Sequence, residues 1–210
     1  PYTIAEHGFR TTFYAMVGQY GTHIDPPAHF DEKGRTMDDI PLNEMLLPLV
    51  VFDITPLLVK EPNHAFNVAD IEAWEKRHGA VPKGAFAALR TDMSRDFDSA
   101  PERFKRAPFP GWSQAAVQFL VEQRGVVAIG HESLDTDASD DFAAEAWLLK
   151  HGHWQIEAMA NLDQVPEAGA VISIGFAKPE GGTGGYARYV AIAPAACSWA
   201  RWQAGWSAIS

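Results

Sequence analysis

Two histidines, a carboxylate and an amide lie within the dozen residues that run from Gln19 to Phe30. His23 and Asp25 are two residues apart, so an extended backbone points both side chains to the same side. Gln19 lies four residues before His23, a span of ~13 Å when extended, so the chain must bend at Gly21 to bring it near. Imidazole, carboxylate and amide oxygen suit a divalent ion that keeps positions open for water. The spacing predicts a hydrolytic metal site; the alternative is a turn whose side chains hydrogen-bond the backbone.

His29 follows a double proline in the same segment. Pro26 and Pro27 end any strand and hold the backbone before His29 in a fixed conformation. Imidazole is the side chain that takes up and releases protons near neutral pH. His29 is therefore the candidate general acid or base, and the alternative is a structural histidine after a turn.

The whole segment resembles the signature His-x-Gly-Thr-His-x-Asp-x-Pro-x-His-Phe of the cyclase family of metal-dependent hydrolases (kynurenine formamidase and isatin hydrolase-like). The match runs from Gly21 to Phe30, and Gln19 stands where the family has its first histidine. The resemblance implies that Gln19, His23 and Asp25 bind metal and that His29 is catalytic. It also implies an α/β fold of the swivelling β/β/α cyclase-like type with a mixed central sheet, with residues 1–210 forming a single domain.

Two glutamates complete the metal region that the resemblance implies. In the family, a helical histidine is followed twelve residues later by a glutamate on the next strand. Here Glu145 takes the place of the histidine, and Glu157 matches the glutamate. Taken alone, Glu145 is typical of a solvated helix surface, whereas a carboxylate in the apolar strand of Glu157 needs a partner. Gln19 and Glu145 stand where the family has histidines, so the ligand set contains more oxygen and less nitrogen. We therefore expect one or two divalent ions, Zn²⁺ or Mn²⁺, and the oxygen-rich set favours manganese over zinc.

Candidate substrate-binding residues lie in and after a long polar loop between Asp92 and Gly111. Phe109 and Trp112 stand at its proline-rich end, where aromatic side chains suit a lid over a planar substrate; packing in the core is the alternative. His131 follows an apolar strand, and residues at strand ends often face the cleft of an α/β enzyme. The glycine-rich segment 181–185 leads into a strand rather than a helix, so it predicts a hairpin loop and not a phosphate site.

The elements that position these residues follow from alternating apolar patterns and helix caps. The predicted strands are Thr12–Val17, Leu49–Ile54, Ala85–Arg90, Val126–Gly130, Trp154–Glu157, Ala170–Gly175 and Arg188–Ile192. The predicted helices are Val68–His78, a segment capped by Ser113 that runs to Arg124, and a segment that starts at Asp140 or Asp141 and ends before Gly152. Strands that alternate with helices indicate a mixed sheet with helices packed against it.

Composition excludes several classes of partner. The chain of 210 residues carries a net charge of −10 without a basic run, which argues against nucleic acid. The longest apolar run, Met45 to Ile54, is too short to cross a membrane. The single Cys197 excludes an intrachain disulfide, and we expect a packing or surface role for it. We expect a cytoplasmic protein. Pro1 is not a natural start, so a periplasmic or secreted protein is the alternative if a signal was removed before Pro1.

Together these features predict a metal-dependent hydrolase of a small amide, cyclic amide or lactone, with an aromatic substrate and a homodimeric or homotetrameric assembly. His29 would act as general acid or base on a metal-activated water. The alternative is a non-catalytic small-molecule binder on the same fold with a degenerate metal site, motivated by Gln19 and Glu145. A nucleotide-binding oxidoreductase depends on the glycine loop alone.

Overall fold

A computed structural model describes residues 1–105 and 107–194, in which seven strands close a barrel. The barrel strands are β1 (His23–Asp25), β2 (Leu46–Asp53), β4 (Phe86–Arg90), β6 (Ala128–His131), β7 (Trp154–Glu157), β8 (Ala170–Phe176) and β9 (Gly185–Ile192). The order around the barrel is β1-β7-β6-β4-β2-β8-β9, and β9 pairs with β1. The strands β2, β4, β6 and β7 are parallel, while β1 and β8 run antiparallel to their neighbours. This architecture confirms the α/β fold with a mixed central sheet.

The remaining elements lie outside the barrel. The helices are α1 (Ile4–His7), α2 (Thr55–Leu58), α3 (Val68–His78), α4 (Asp96–Ser99), α5 (Pro101–Phe104), α6 (Gln114–Arg124) and α7 (Ala143–Lys150). The short strands β3 (Ala65–Phe66) and β5 (Gly111–Trp112) form a separate parallel pair. No helix in the described ranges is long and apolar enough to span a bilayer.

Alternation along each strand divides the apolar side chains into two cores. One set fills the barrel and includes Ile24, Phe86, Trp154 and Ile156. The other set faces outward and is covered by α3, α6 and α7. Residues of odd number on β1 and β7 therefore point away from the barrel interior, toward the layer that contains α7.

Helix ends match their predicted caps. The Asn67 side chain accepts the N–H groups of Ala69 and Asp70, so α3 has the predicted bounds 68–78. Ser113 caps α6, and Gly125 follows it with the positive φ of 67° that glycine adopts without strain. For α7 the cap comes from outside the helix, since the Asp137 carboxylate accepts the N–H groups of Ala144 and Glu145 at 2.6 and 3.1 Å.

Two predictions of local structure differ from the fold. The strand expected at Thr12–Val17 is wrong, because these residues are exposed and pair with no strand among the described residues. The predicted loop between Asp92 and Gly111 contains the short helices α4 and α5. The segment 177–184 joins antiparallel β8 to β9, which confirms the hairpin expected for the glycine-rich run. Cys197 lies outside the described residues.

Candidate metal centre

The centre is built on the outward face of β1 and β7. His23 pairs with Glu157 and Asp25 pairs with Gln155 in the antiparallel register of the two strands. Ile24, which lies between His23 and Asp25 on β1, is fully buried inside the barrel. Strand alternation thus places four polar side chains in one patch beneath α7, and all four are buried. This arrangement brings together three of the residues that the sequence predicts as ligands: His23, Asp25 and Glu157.

His23 is oriented with one ring nitrogen toward the carboxylates. Its Nδ1 lies 2.8 Å from the carbonyl oxygen of Gly21, so Nδ1–H donates to that oxygen. Nε2 is then the nitrogen that an ion would bind, at 3.1 Å from Asp25 Oδ2 and 3.6 Å from Glu157 Oε2. Ligand atoms of these three residues all lie within 4.8 Å of one another, a spacing that one divalent ion bridges.

Glu145 joins the patch from α7. It is buried, and its Oε1 accepts a hydrogen bond from the Gln155 amide at 2.9 Å. Ligand atoms of Asp25, His29 and Glu145 also fall within 4.8 Å of one another, as do those of Asp135, Asp137 and Glu145. The structure therefore places Glu145 within the acidic cluster and not on a solvated helix surface.

His29 stands at the mouth of the cleft. It ends a single 3₁₀ turn, Pro27–His29, and its side chain is one-third exposed. Its Nε2 lies 4.0 Å from Asp25 Oδ1, and its ring packs edge-on against Phe30. A solvent-accessible imidazole beside the buried ligands can exchange protons with both the substrate and water.

Gln19 reaches the rim of the same cleft from the opposite side. Its Nε2 donates to the carbonyl oxygen of Thr183 at 2.9 Å, in the β8–β9 hairpin. The Gln19 side chain takes this position because residue 184 is glycine, since a Cβ there would overlap its amide. With the nitrogen engaged, Oε1 is the atom that Gln19 can offer to an ion.

The charge balance of the centre fits a cation. Burial, and then repulsion by Glu157 and Asp25, raises the pKa of Glu145 to about 9. Burial and the nearby Asp25 raise the pKa of Glu157 well above its usual value. Asp25 Oδ1 is buried without a hydrogen-bond partner among the described residues. Several neighbouring carboxylates are costly to bury unless a positive ion neutralises them, so the donor set fits an oxygen-preferring divalent metal.

The pKa values of His23 and His131 are shifted in opposite directions. Burial disfavours the charged form of His23, but the hydrogen bond to Asp25 and the charges of Asp25 and Glu157 outweigh it and raise its pKa to about 8. His131, on β6, is fully buried, and burial lowers its pKa to about 4. Its Nε2 lies 3.5 Å from Glu157 Oε1, and neither ring nitrogen has a hydrogen-bond partner in the described part of the chain. His131 therefore lies behind Glu157, as a neutral ring.

We expect the metal-free protein to lose stability as the pH rises from 6.5 to 9. The raised pKa of Glu145 gives stability that is complete below its ordinary 4.5 and is lost on approach to about 9. His23 acts in the same direction between 6.5 and about 8. One such group changes the free energy of unfolding by up to ~1.4 kcal/mol per pH unit, or roughly 2–4 °C in melting temperature per kcal/mol. Melting curves of chelated protein test this; a flat or rising melting temperature would contradict it.

The other predicted substrate residues occupy different surroundings. Trp112 is buried in the outer core, where it packs against Phe52 and Phe66, and the structure does not bring it to the cleft. Phe109 is buried in a small cluster with Met93 and Phe104. Phe104 of this cluster lines a cavity, whereas Phe109 does not line it and packs in the same cluster.

A cavity of about 580 Å³ adjoins the metal centre. It is mostly apolar and shares Leu134 with the cleft that contains His23 and His29. Its walls come from the ends of β1 and β7 and from the segment of α4 and α5: Gly21, Thr22, Ser94, Phe97, Asp98, Pro101, Phe104, Lys105, Leu134, Ala158, Met159 and Ala160. Buried Glu132 anchors this segment by accepting the N–H groups of Thr91 and Asp92 and the hydroxyl of Ser94.

Comparison with known proteins gives a consistent set of relatives. The family model Cyclase, described as "Putative cyclase", matches residues 2–138. Isatin hydrolase of Roseibium aggregatum is 27% identical over 214 residues, covering 92% of this chain and 80% of the relative. Kynurenine formamidase of Paracidovorax citrulli is 27% identical over 166 residues, covering 73% of this chain and 66% of the relative.

Solved structures show the same likeness. Isatin hydrolase A from Labrenzia aggregata, bound to benzyl benzoate, superposes with a TM-score of 0.77 at 30% identity, covering 84% of this chain and 74% of that one. A structure titled "Potential Metal-Dependent Hydrolase With Cyclase Activity" has a TM-score of 0.65 at 26% identity, covering 83% of this chain and 79% of that one.

Proposed function

We infer the function of this chain from its family: it belongs to the Cyclase family, whose model matches more than half of its residues. It is a metal-dependent hydrolase that cleaves C–N bonds of small amides. We propose an aromatic cyclic amide or aryl formamide as substrate and a single divalent ion as cofactor. The observation that carries this proposal is the cluster of His23, Asp25 and Glu157, which stands beside a large apolar cavity.

The ion would be held by His23 Nε2 and by carboxylate oxygens of Asp25 and Glu157, with Gln19 and Glu145 at its sides. Bound there, the ion supplies a Lewis acid for the substrate carbonyl and lowers the pKa of a water. We propose manganese before zinc, because carboxylate and amide oxygens outnumber the one imidazole in this set. Each ligand carboxylate has a support within the protein: Glu157 accepts from the Gln155 amide, and Asp25 adjoins His23.

The cavity supports a planar aromatic substrate. Phe97 and Phe104 line it and pack edge to face at 5.4 Å, which gives a ring-binding wall. Two relatives are named isatin hydrolase and kynurenine formamidase, and the aromatic substrates that these names indicate would fit such a site. A substrate ring in this cavity would place its amide group near Leu134, where the cavity meets the metal cleft.

His29 would move the proton that hydrolysis requires. The reaction forms a bond from water oxygen to the carbonyl carbon and breaks the bond from that carbon to nitrogen. His29 takes a proton from the attacking water and delivers it to the leaving nitrogen, so the products are a carboxylate and an amine. His29 Nε2 lies 4.0 Å from Asp25 Oδ1, so its ring stands beside the ligand cluster. The apolar cavity wall excludes other water from the substrate ring.

The N-terminal arm supports a homodimer or homotetramer. Residues before β1 expose a series of large apolar side chains: Tyr2, Ile4, Phe9, Phe13, Tyr14, Met16 and Val17. Many large apolar side chains exposed in one segment favour an interaction site on a folded protein. We propose that the arm packs on a second copy of the chain. Light scattering measures the assembly, and a monomer at micromolar concentration would contradict it.

Metal analysis combined with turnover tests the proposed function. Purified protein should contain a transition metal by mass spectrometry, and chelation should abolish hydrolysis of isatin or N-formylkynurenine. Re-addition of Mn²⁺ should restore turnover more fully than Zn²⁺. A protein that binds neither ion at micromolar concentration would contradict the proposal, and full activity after chelation would contradict it as well.

A further inference from the structure

One uncharged side chain lies at the middle of the acidic cluster. Gln155 on β7 is fully buried, and the sequence patterns did not single it out. Its Nε2 is 2.9 Å from Glu145 Oε1 and 3.0 Å from Glu157 Oε1. A longer contact of 3.4 Å joins it to Asp25 Oδ2. An amide nitrogen has two hydrogens, and the two short contacts use both of them.

Thr136 fixes which end of the amide faces the carboxylates. Its buried hydroxyl donates to Gln155 Oε1 at 2.7 Å. The reverse orientation would place the amide oxygen against oxygens of Glu145 and Glu157, where repulsion disfavours it once the two carboxylates are ionised. The amide nitrogen is thereby directed at the two glutamates in the state that binds an ion.

The hydrogen bonds of Gln155 use one oxygen of each glutamate. Among the described residues, the hydrogen bonds to Glu145 and Glu157 all fall on Oε1. Glu157 Oε2 instead points to the ligand nitrogen of His23, at 3.6 Å. The amide bridges a helix and a strand, and so it holds the two carboxylates at a fixed separation with their second oxygens available.

We propose that Gln155 is a positioning residue that presets Glu145 and Glu157 for the ion, an inference that rests on the proposed metal-dependent function. A donor shared between two carboxylates reduces their mutual repulsion and orders both side chains before the ion arrives. Without it, each carboxylate must be ordered at the moment of binding, at the expense of affinity.

Replacing Gln155 with methionine, which is similar in length but has no N–H group, tests the inference. Titration of chelated protein with Mn²⁺, followed calorimetrically, should show a dissociation constant raised ~10–100-fold, the range found when partners of metal ligands are lost. The gain in melting temperature on adding the ion should shrink accordingly. Gln164→Met is the matched control, because Gln164 is exposed and lines neither the metal cleft nor the adjoining cavity. The affinity of this control variant for Mn²⁺ should equal that of the unchanged protein.

A double-mutant cycle separates positioning from a general structural effect. In the Glu145→Gln background, Gln155→Met should change the dissociation constant much less, because one of the two oriented carboxylates is already absent. Thr136→Val should raise the dissociation constant in the same direction by a smaller factor, and it serves as the test if Gln155→Met does not fold. Unchanged affinity in both variants would overturn the inference, as would equal effects in the two backgrounds. If the unchanged protein does not bind the ion, that result overturns the proposed function instead.

Discussion

Replacing His23 with alanine should give a folded protein that neither holds its ion nor turns over substrate. His23 supplies the one nitrogen in the group formed with Asp25 and Glu157. Its ring is already oriented by the hydrogen bond to Gly21, so no neighbouring side chain replaces it. Loss of a partner of a ligand costs ~10–100-fold in metal affinity, and loss of the ligand itself should exceed that range. Turnover should fall to the background rate, since the activated water is lost.

The His23→Ala experiment needs both metal content and kinetics. Mass spectrometry gives the ion per chain, and steady-state assays give kcat and KM at saturating added Mn²⁺. His151→Ala is a suitable control, because His151 is exposed just after α7 and its side chain hydrogen-bonds only the Trp147 carbonyl among the described residues. Retention of a full equivalent of ion, or of more than a small fraction of the activity, would refute the assignment of His23.

Replacing His29 with alanine should lower kcat while leaving the ion in place. His29 is the accessible imidazole at the mouth of the cleft, and its Nε2 is 4.0 Å from Asp25 Oδ1. Loss of a general acid or base typically costs ~10²–10⁴-fold in rate. Because the variant keeps His23, Asp25 and Glu157, its metal content and melting temperature should remain close to those of the unchanged protein.

Comparing two substrates distinguishes proton transfer from other roles of His29. A substrate whose leaving group is a good one needs little protonation, so the rate loss in His29→Ala should be smaller for an activated aryl ester or lactone than for an amide. An equal loss for both substrates, or loss of the ion, would show that His29 is a ligand or a structural residue. The variant His29→Gln, which keeps size and polarity, should behave like alanine if proton transfer is the function.

Local signals predicted the elements that hold the centre. Alternation gave β7 its exact bounds, 154–157, and the Asn67 cap with Gly79 gave α3 its exact bounds, 68–78. The strand predicted at Thr12–Val17 has equally apolar residues but lacks a neighbouring strand in the described chain. Strand formation depends on a partner that a local pattern does not reveal. The side-chain type of Trp112 likewise suits a substrate contact, but a local pattern does not reveal that it packs against Phe52 and Phe66.

The predicted side chains lie close together where spacing along the chain decides the geometry. His23 and Asp25 share a face because they are two residues apart on one strand. Gln155 was not predicted, although it stands two residues before Glu157 and so shares its face. An uncharged glutamine in a strand carries no chemical signal of its own. Its importance comes from the pairing of Asp25 with Gln155, which depends on the register of two strands that are distant in the chain.

The pairing of β1 with β7 has a consequence for the order of events during folding. Asp25 and Gln155 are 130 residues apart in the chain, so closing this part of the barrel carries the loop-closure cost of a long-range contact. An early intermediate has little reason to contain the assembled ligand set, and an ion that recognises only the closed barrel cannot accelerate the steps before closure. Its contribution then falls on the reverse step. Once bound, the metal would slow unfolding more than it would speed folding.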